Sequence, residues 1–68
     1  MLFKNVINSC SEFGSDEEAM EYANAICEYD SSDQEIGYHR YVGTTNGVEV
    51  HYDYGADYYF FVDVTDEQ

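Results

Sequence analysis

The chain has 68 residues, of which 15 are Asp or Glu and only 2 are Lys or Arg, so its formal net charge is −13. A chain of this length forms a single domain, which excludes a large enzyme with a deep pocket and a dinucleotide-binding fold. The shortage of basic residues argues against direct binding to nucleic acid or to an anionic membrane, because clustered Lys and Arg recognise both.

The hydrophobic content predicts that this acidic chain folds. Hydrophobic residues make up 44% of it and aromatic residues 18%, and it contains no Pro. Disordered acidic segments are poor in aromatic residues and often rich in Pro. No apolar run approaches the ~18 residues of a membrane span, and the start of the chain lacks the apolar stretch of a secretory signal. We therefore expect one domain over residues 1–68 in the cytoplasm.

The first part of the chain predicts a short element followed by a helix start. The segment Leu2–Ile7 is apolar enough for a strand or a helical turn, and as a strand it would join one edge of a sheet. Ser15 and Glu18 have the spacing of a capping box, in which Ser15 is the N-cap. A helix is therefore predicted to begin at Asp16.

Apolar residues at helical spacing extend this helix to about Tyr29. The stripe consists of Ala19, Ala23 and Ile26, flanked by Met20 and Cys27. This pattern predicts an amphipathic helix with a glutamate-rich outer side. Cys27 is expected to pack as a small hydrophobic residue, because its spacing from Cys10 fits no zinc signature.

A polar connection is expected over Asp30–Glu35, and strand signals follow it. Ile36–Thr45 and Gly47–Tyr54 flank Asn46-Gly47, which is the strongest short-range signal for a β-hairpin.

A two-residue turn at Asn46-Gly47 sets the register of the hairpin. It pairs Thr45 with Val48 and, further from the turn, Arg40 with Asp53 as an ion pair across the strands. One face of the hairpin is then predicted to carry Val48, Val50, Tyr52, Tyr41 and His39. The other face is predicted to carry Glu49, His51, Asp53, Arg40, Val42 and Thr44. The two histidines therefore lie on opposite faces, and no shared metal site is predicted.

Tyr58–Thr65 is predicted to be a further strand after a turn at Gly55-Ala56-Asp57. A three-residue loop places Phe60, Val62 and Val64 under the helix and leaves Tyr59, Phe61 and Asp63 outside. A two-residue loop would reverse these faces. We favour the three-residue loop, because it gathers the β-branched residues under the helix. The predicted fold is α+β, with one amphipathic helix on an antiparallel sheet of three strands, or four if the N-terminal segment joins it.

Motifs that would indicate an enzyme are missing from the sequence. It has no phosphate-binding glycine loop, no G-x-S-x-G, no H-E-x-x-H and no C-x-x-C. The acidic segment Asp30–Glu35 lacks the spacing of an EF-hand calcium loop. We therefore expect no catalytic residues, no cofactor and no metal.

The acidic surface itself is the strongest functional signal. Carboxylates spread over a rigid surface can imitate nucleic-acid phosphates and steer the protein to a basic groove. A helix of about 14 residues would carry Glu17, Glu21 and Glu28 in one row along its length of about 21 Å, and the hairpin carboxylates would supply a second row. Aromatic residues among them would supply specificity, and the tract 52–61 has more aromatic residues than one side of a sheet can bury. Some are therefore expected at the surface near the second turn. The candidate partner-binding residues are the carboxylates Glu17, Glu21, Glu28, Glu49, Asp53 and Asp63 and the aromatic anchors Tyr59 and Phe61.

In size, charge and pattern the chain resembles the short acidic proteins that phages use against host nucleic-acid machinery. These include anti-CRISPR proteins, anti-restriction DNA mimics and inhibitors of uracil-DNA glycosylase. The features that carry the resemblance are the helix 15–29 and the meander TTNGVEVHYDYGADYYFFVD. The resemblance implies a non-enzymatic inhibitor that binds the basic surface of a nucleic-acid-binding protein or of a CRISPR effector complex and blocks access of DNA or RNA. If a phage encodes it, the cytoplasm in which it acts is that of the host.

Three alternatives stay open from the sequence. An antitoxin or immunity protein that neutralises a small basic nuclease would bind through the same attraction between an acidic surface and a basic partner, but its partner would be a dedicated one. An acidic structural or adaptor domain would have no inhibitory role. Edges rich in Tyr could also join two copies into a homodimer.

Overall fold

One helix and five strands make up the part of the chain that the structure describes. A computed structural model describes residues 2–8 and 12–64, so Cys10 and the predicted strand end at Thr65 lie outside the described residues. The elements are β1 (Leu2–Ile7), α1 (Asp16–Ala25), β2 (Ser31–Ile36), β3 (His39–Thr45), β4 (Val48–Asp53) and β5 (Tyr58–Asp63). The strands form one antiparallel sheet in the order β2-β1-β5-β4-β3. The α+β class is confirmed, but the sheet has five strands rather than three or four.

The prediction of a polar connection over residues 30–35 was wrong, because Ser31–Ile36 forms the edge strand β2. It pairs along the whole of β1, from Leu2 opposite Ile36 to Ile7 opposite Ser31, so β1 is an interior strand rather than an edge. The side-chain oxygen of Asn8 also accepts hydrogen bonds from Gln34 Nε2 at 3.0 Å and Ser32 Oγ at 3.4 Å. A strand held by backbone pairing and polar contacts has no apolar alternation to reveal it.

The predicted helix start is confirmed. Ser15 is the N-cap, and its Oγ accepts a hydrogen bond from the Glu18 backbone N–H at 3.3 Å. The Glu18 carboxylate accepts in return from the backbone N–H of Gly14 at 2.9 Å, one residue before the usual partner in a capping box.

The helix ends at Ala25 instead of Tyr29 because the hairpin turn caps it there. Ile26 is extended, and the side-chain amide of Asn46 donates to the carbonyl oxygens of Ala23 at 3.2 Å and Ile26 at 2.9 Å. Asn46 itself has a φ of 58°, as a two-residue hairpin turn requires. Asn46 therefore adopts the left-handed conformation of the turn, and its side chain caps the C-terminal end of the helix. Cys27 lies beyond this end and is exposed, so its predicted packing in the core was wrong.

The predicted hairpin register holds only next to the turn. Thr45 pairs with Val48 as expected, but a β-bulge between Tyr41 and Gly43 shifts the rest by one residue. Arg40 consequently lies opposite Tyr52 rather than Asp53, and the predicted ion pair between Arg40 and Asp53 was wrong. A bulge adds one residue to one strand, which reverses the faces of every residue beyond it.

The faces predicted for the last strand were also wrong. The turn after β4 has four residues, so Tyr58 pairs with Asp53 and Phe61 pairs with Val50. An even-numbered loop reverses the faces relative to a three-residue loop. The Asp53 carboxylate stabilises this longer turn by accepting hydrogen bonds from the backbone N–H groups of Gly55 at 2.8 Å and Ala56 at 3.0 Å.

Both faces of the sheet bury apolar side chains. The helix covers a cluster made of Ile7, Ala19, Ala23, Val48, Val50, Tyr59 and Phe61. The opposite face carries a smaller cluster made of Val6, Ile36, Phe60 and Val62. β5 contributes to both clusters, which fits its position as the middle strand of the sheet.

A short connection between the two edge strands requires the sheet to be rolled. Ile36 at the end of β2 and His39 at the start of β3 are three Cα steps apart, at most about 11 Å. A flat sheet would hold these strands four spacings apart, about 19 Å. The edges therefore approach each other at Gly37 and Tyr38. Tyr38 also lies next to the turn between β4 and β5. There the backbone N–H of Tyr54 donates to the carbonyl of Tyr38 at 3.2 Å.

Candidate partner-binding surfaces

The predicted row of helix glutamates is shorter than expected. Glu17 and Glu21 are exposed on α1, whereas Glu28 is exposed beyond the end of the helix. A helix of ten residues spans about 15 Å, so it carries two of the three glutamates. The continuous line of charge over 14 residues is therefore not formed.

The three sheet carboxylates do not form a second row. Asp63 lies on the face that the helix covers, while Glu49 and Asp53 lie on the opposite face. The Glu49 carboxylate is 3.1 Å from His51 Nε2, and Asp53 holds the turn that follows it. The structure thus distributes the predicted carboxylates over both sides of the sheet.

Tyr59 and Phe61 cannot serve as surface anchors. Their exposed fractions are 7% and 1%, and both belong to the core under the helix. The large exposed aromatic residues among the described part of the chain are Tyr38, Tyr41, Tyr54 and Tyr58. Tyr54 is the first residue of the turn between β4 and β5 and Tyr58 directly follows the turn, which confirms the expectation of exposed rings near it.

A continuous series of aromatic rings connects this surface with the core. Tyr38, which is 82% exposed, stacks on Tyr54 with ring centroids 5.1 Å apart. Tyr54 contacts Tyr52 at 5.4 Å, and Tyr52 contacts the buried Tyr59 at 5.0 Å. Phe13 continues the series at 6.3 Å from Tyr59. The exposed tyrosines are therefore supported by packed rings beneath them.

These rings border a groove at the N-terminal end of the helix, which we call the tyrosine groove. Its volume is about 600 Å³. It is lined by Glu12, Phe13, Gly14, Arg40, Tyr52, Tyr54, Asp57 and Tyr59. The sequence did not reveal it, because the bulge in β3 brings Arg40 to this face.

An ion pair that includes the groove residue Arg40 joins the helix to the sheet. Two nitrogens of Arg40 donate to the two carboxylate oxygens of Asp16 at 2.9 and 3.1 Å. The Tyr59 hydroxyl also donates to Asp16, at 2.5 Å. The Arg40 hydrogen bond, followed by the Tyr59 bond, lowers the pKa of Asp16, and the carboxylate raises the pKa of Tyr59 in turn. Arg40 is thereby neutralised within the fold.

A second hydroxyl–carboxylate pair lies at the rim of the groove. The Tyr52 hydroxyl donates to the Asp57 carboxylate, and this hydrogen bond raises the pKa of Tyr52. Asp57 has a φ of 61°, and it thus occupies the left-handed position of the four-residue turn. The turn geometry therefore fixes a carboxylate beside the exposed ring of Tyr54.

The face away from the helix carries a histidine cluster that the sequence placed incorrectly. The bulge in β3 puts His39 and His51 on the same face, with ring centroids 5.2 Å apart. His51 also stacks on Phe60 at 5.1 Å. It is 4% exposed, and its Nδ1 has no hydrogen-bond partner among the described residues. No group of three or more His, Cys, Asp and Glu side chains in the described ranges could hold a metal ion.

Acidification from pH 7.5 to 5.5 is expected to lower the free energy of unfolding through His51. Burial, opposed by the hydrogen bond to Glu49, holds the folded-state pKa of His51 below the ordinary value of 6.5, and nearby His39 and Lys4 lower it further. The unfolded chain therefore takes up the proton first, and stability falls as the pH drops below about 6.5. The slope cannot exceed about 1.4 kcal/mol per pH unit for one proton.

Urea unfolding at a series of pH values measures this dependence. The variant His51→Leu should remove it, whereas the control His39→Gln should keep it. Equal pH dependence in the wild type and in His51→Leu would show that another group is responsible.

Comparisons of the chain with protein-family models, with curated proteins and with solved structures find no match. The helix in the described part of the chain has ten residues and is too short and too polar to cross a membrane. The surface chemistry is thus the basis on which a function can be proposed.

Proposed function

We propose that the protein is a non-enzymatic acidic inhibitor that binds a basic, nucleic-acid-binding surface of another protein and blocks access of DNA or RNA. The observation that carries this proposal is the fixed excess of negative charge on a small, packed fold. A host defence complex that holds nucleic acid, such as a CRISPR effector, is a partner of this kind.

The charge balance supports a basic partner. The chain has 15 acidic residues and only 2 Lys and Arg, and Arg40 is neutralised by Asp16. Glu17 and Glu21 project from the helix into solvent, where they face no cationic partner among the described residues. A surface of this sign attracts basic grooves over long distances and raises the rate of association.

The exposed tyrosines supply the specificity for one partner that charge alone lacks. Carboxylates by themselves would attract every basic protein, whereas aromatic rings held rigidly at a surface favour one shape of partner. The stacked pair Tyr38 and Tyr54 is such a feature, because packed rings below it limit its motion. We propose that the contact includes both the helix glutamates and the tyrosine groove.

Capture with competition tests the proposal. The tagged protein is incubated with host lysate, and the retained proteins are challenged with duplex DNA or with polyglutamate at equal charge concentration. Retention of a nucleic-acid-binding protein that DNA displaces more effectively than polyglutamate is the expected result. A retained partner that DNA does not displace would refute occupation of the nucleic-acid site.

A further inference from the structure

The tyrosine groove has an excess of negative charge. Arg40 is compensated by Asp16, so the remaining charges are the carboxylates of Glu12 and Asp57. Neither of these two forms an ion pair within the described residues. Asp57 accepts one hydrogen bond from Tyr52, which leaves oxygen lone pairs for a further donor.

Arg40 shows how a guanidinium binds to a tyrosine ring and a carboxylate of this kind. Its central carbon lies 5.2 Å from the centroid of the Tyr52 ring, while its nitrogens bind the Asp16 carboxylate. Tyr54 and Asp57 place a second ring and a second carboxylate in the same groove, and no cation of the described residues binds them. Tyr54 is 48% exposed, so part of its ring is open to a partner.

We propose that the tyrosine groove is a subsite for an arginine side chain of the partner. This inference rests on the proposed function and specifies how the basic surface is recognised. The guanidinium stacks on Tyr54 and donates to the carboxylates of Asp57 and Glu12. Arginine fits better than lysine, because a planar, weakly hydrated guanidinium can stack and donate two hydrogen bonds at once.

The size and charge of the groove agree with this occupant. A volume of about 600 Å³ lies within the usual range of about 300–1,000 Å³ for sites that enclose small ligands, so it admits one long side chain with its flanking backbone. The uncompensated carboxylates exclude phosphate and other anions. Arginines that line nucleic-acid-binding grooves are accessible to a phosphate-like surface, and they are thus available to this subsite.

The subsite can be tested with short peptides on the whole protein. The probes are Gly-Gly-Arg-Gly-Gly, the same peptide with Lys, and the same peptide with citrulline, which keeps the shape of arginine without its charge. NMR titration at low salt follows the resonances of the protein. The arginine peptide should shift Tyr52, Tyr54 and Asp57 and should bind about two- to ten-fold more tightly than the lysine peptide, the contribution of one additional hydrogen bond made by the stacked guanidinium. The citrulline peptide should cause no saturable shift.

Matched variants locate the binding. Asp57→Asn keeps the hydrogen bond to Tyr52 and tolerates the positive φ of the turn, so it removes the charge with little other change. It should weaken binding of the arginine peptide about two- to five-fold, whereas Asp33→Asn on the exposed edge strand should not. Tyr54→Leu should weaken it similarly, while Tyr41→Leu on the opposite face serves as the control.

Two outcomes would overturn the subsite. One is equal affinity for the arginine and lysine peptides, and the other is a set of shifts centred on Glu17 and Glu21 instead of the groove. Neither outcome excludes a partner that DNA displaces, so the subsite would be refuted while the proposed function stands. Specific arginine binding combined with a partner that resists DNA would refute the proposed function and keep the subsite.

Discussion

Replacing Phe61 with Ala is expected to remove a large part of the free energy of unfolding and to lower the melting temperature. Phe61 is almost fully buried, and its ring lies 5.2 Å from Tyr22 on the helix and 5.9 Å from Phe13. Truncation of a buried Phe to Ala costs about 3–5 kcal/mol. A domain of 68 residues has a total stability of about 3–10 kcal/mol at ordinary values per residue, so this loss is a large part of it.

Far-UV circular dichroism and thermal melting measure this effect. The control is Tyr58→Ala on the same strand, which truncates an exposed ring and should change the free energy of unfolding by about 0.5 kcal/mol or less. Phe61→Leu should fall between the two variants. If Phe61→Ala melted like Tyr58→Ala, the order of faces along β5 would be wrong.

Reversing the charges of Glu17 and Glu21 together is expected to weaken partner binding about a hundred-fold or more. Close charge pairs across an interface contribute at least about 1.5 kcal/mol each, and two such losses multiply to this factor. The dependence of affinity on salt should also become flatter, because fewer ions are released on binding. Titration of the captured partner with Glu17→Lys/Glu21→Lys at several salt concentrations measures both effects.

A second double variant separates local contact from total charge. Asp33→Lys/Glu35→Lys on the edge strand β2 changes the net charge by the same amount at a different place. It should weaken binding much less than the helix variant. Equal losses would show that the helix is not the contact, and unchanged affinity of the helix variant at low salt would refute phosphate mimicry.

Local signals in the sequence predicted the elements well where short-range chemistry determines them. The capping pair Ser15 and Glu18 fixes the start of the helix, and Asn46-Gly47 fixes the hairpin turn. Both depend on contacts within a few residues, which a single sequence displays directly. The helix end depends instead on Asn46, twenty or more residues further along, and was predicted too late.

Which side chains share a face was much harder to predict. Strand faces alternate with every residue, so one added residue at the bulge in β3 and one more in the turn after β4 reversed the prediction beyond each point. For this reason Arg40 was assigned to the wrong partner, and Tyr59 was taken for a surface anchor. The tyrosine groove depends on both of these irregularities, and it could not be derived from periodicity.

The position of β5 has a consequence for how the chain folds. The last of the described strands is the middle strand of the sheet, and it pairs with β1 through Val6 and Val62. Every stretch of chain that ends before Tyr58 lacks the strand that joins the two halves of the sheet and fills both apolar clusters. Contacts between such distant residues slow folding, because loop closure must precede them. A nascent chain on the ribosome is therefore expected to hold no stable sheet until β5 has emerged, and the two halves of the sheet then form together as one cooperative unit.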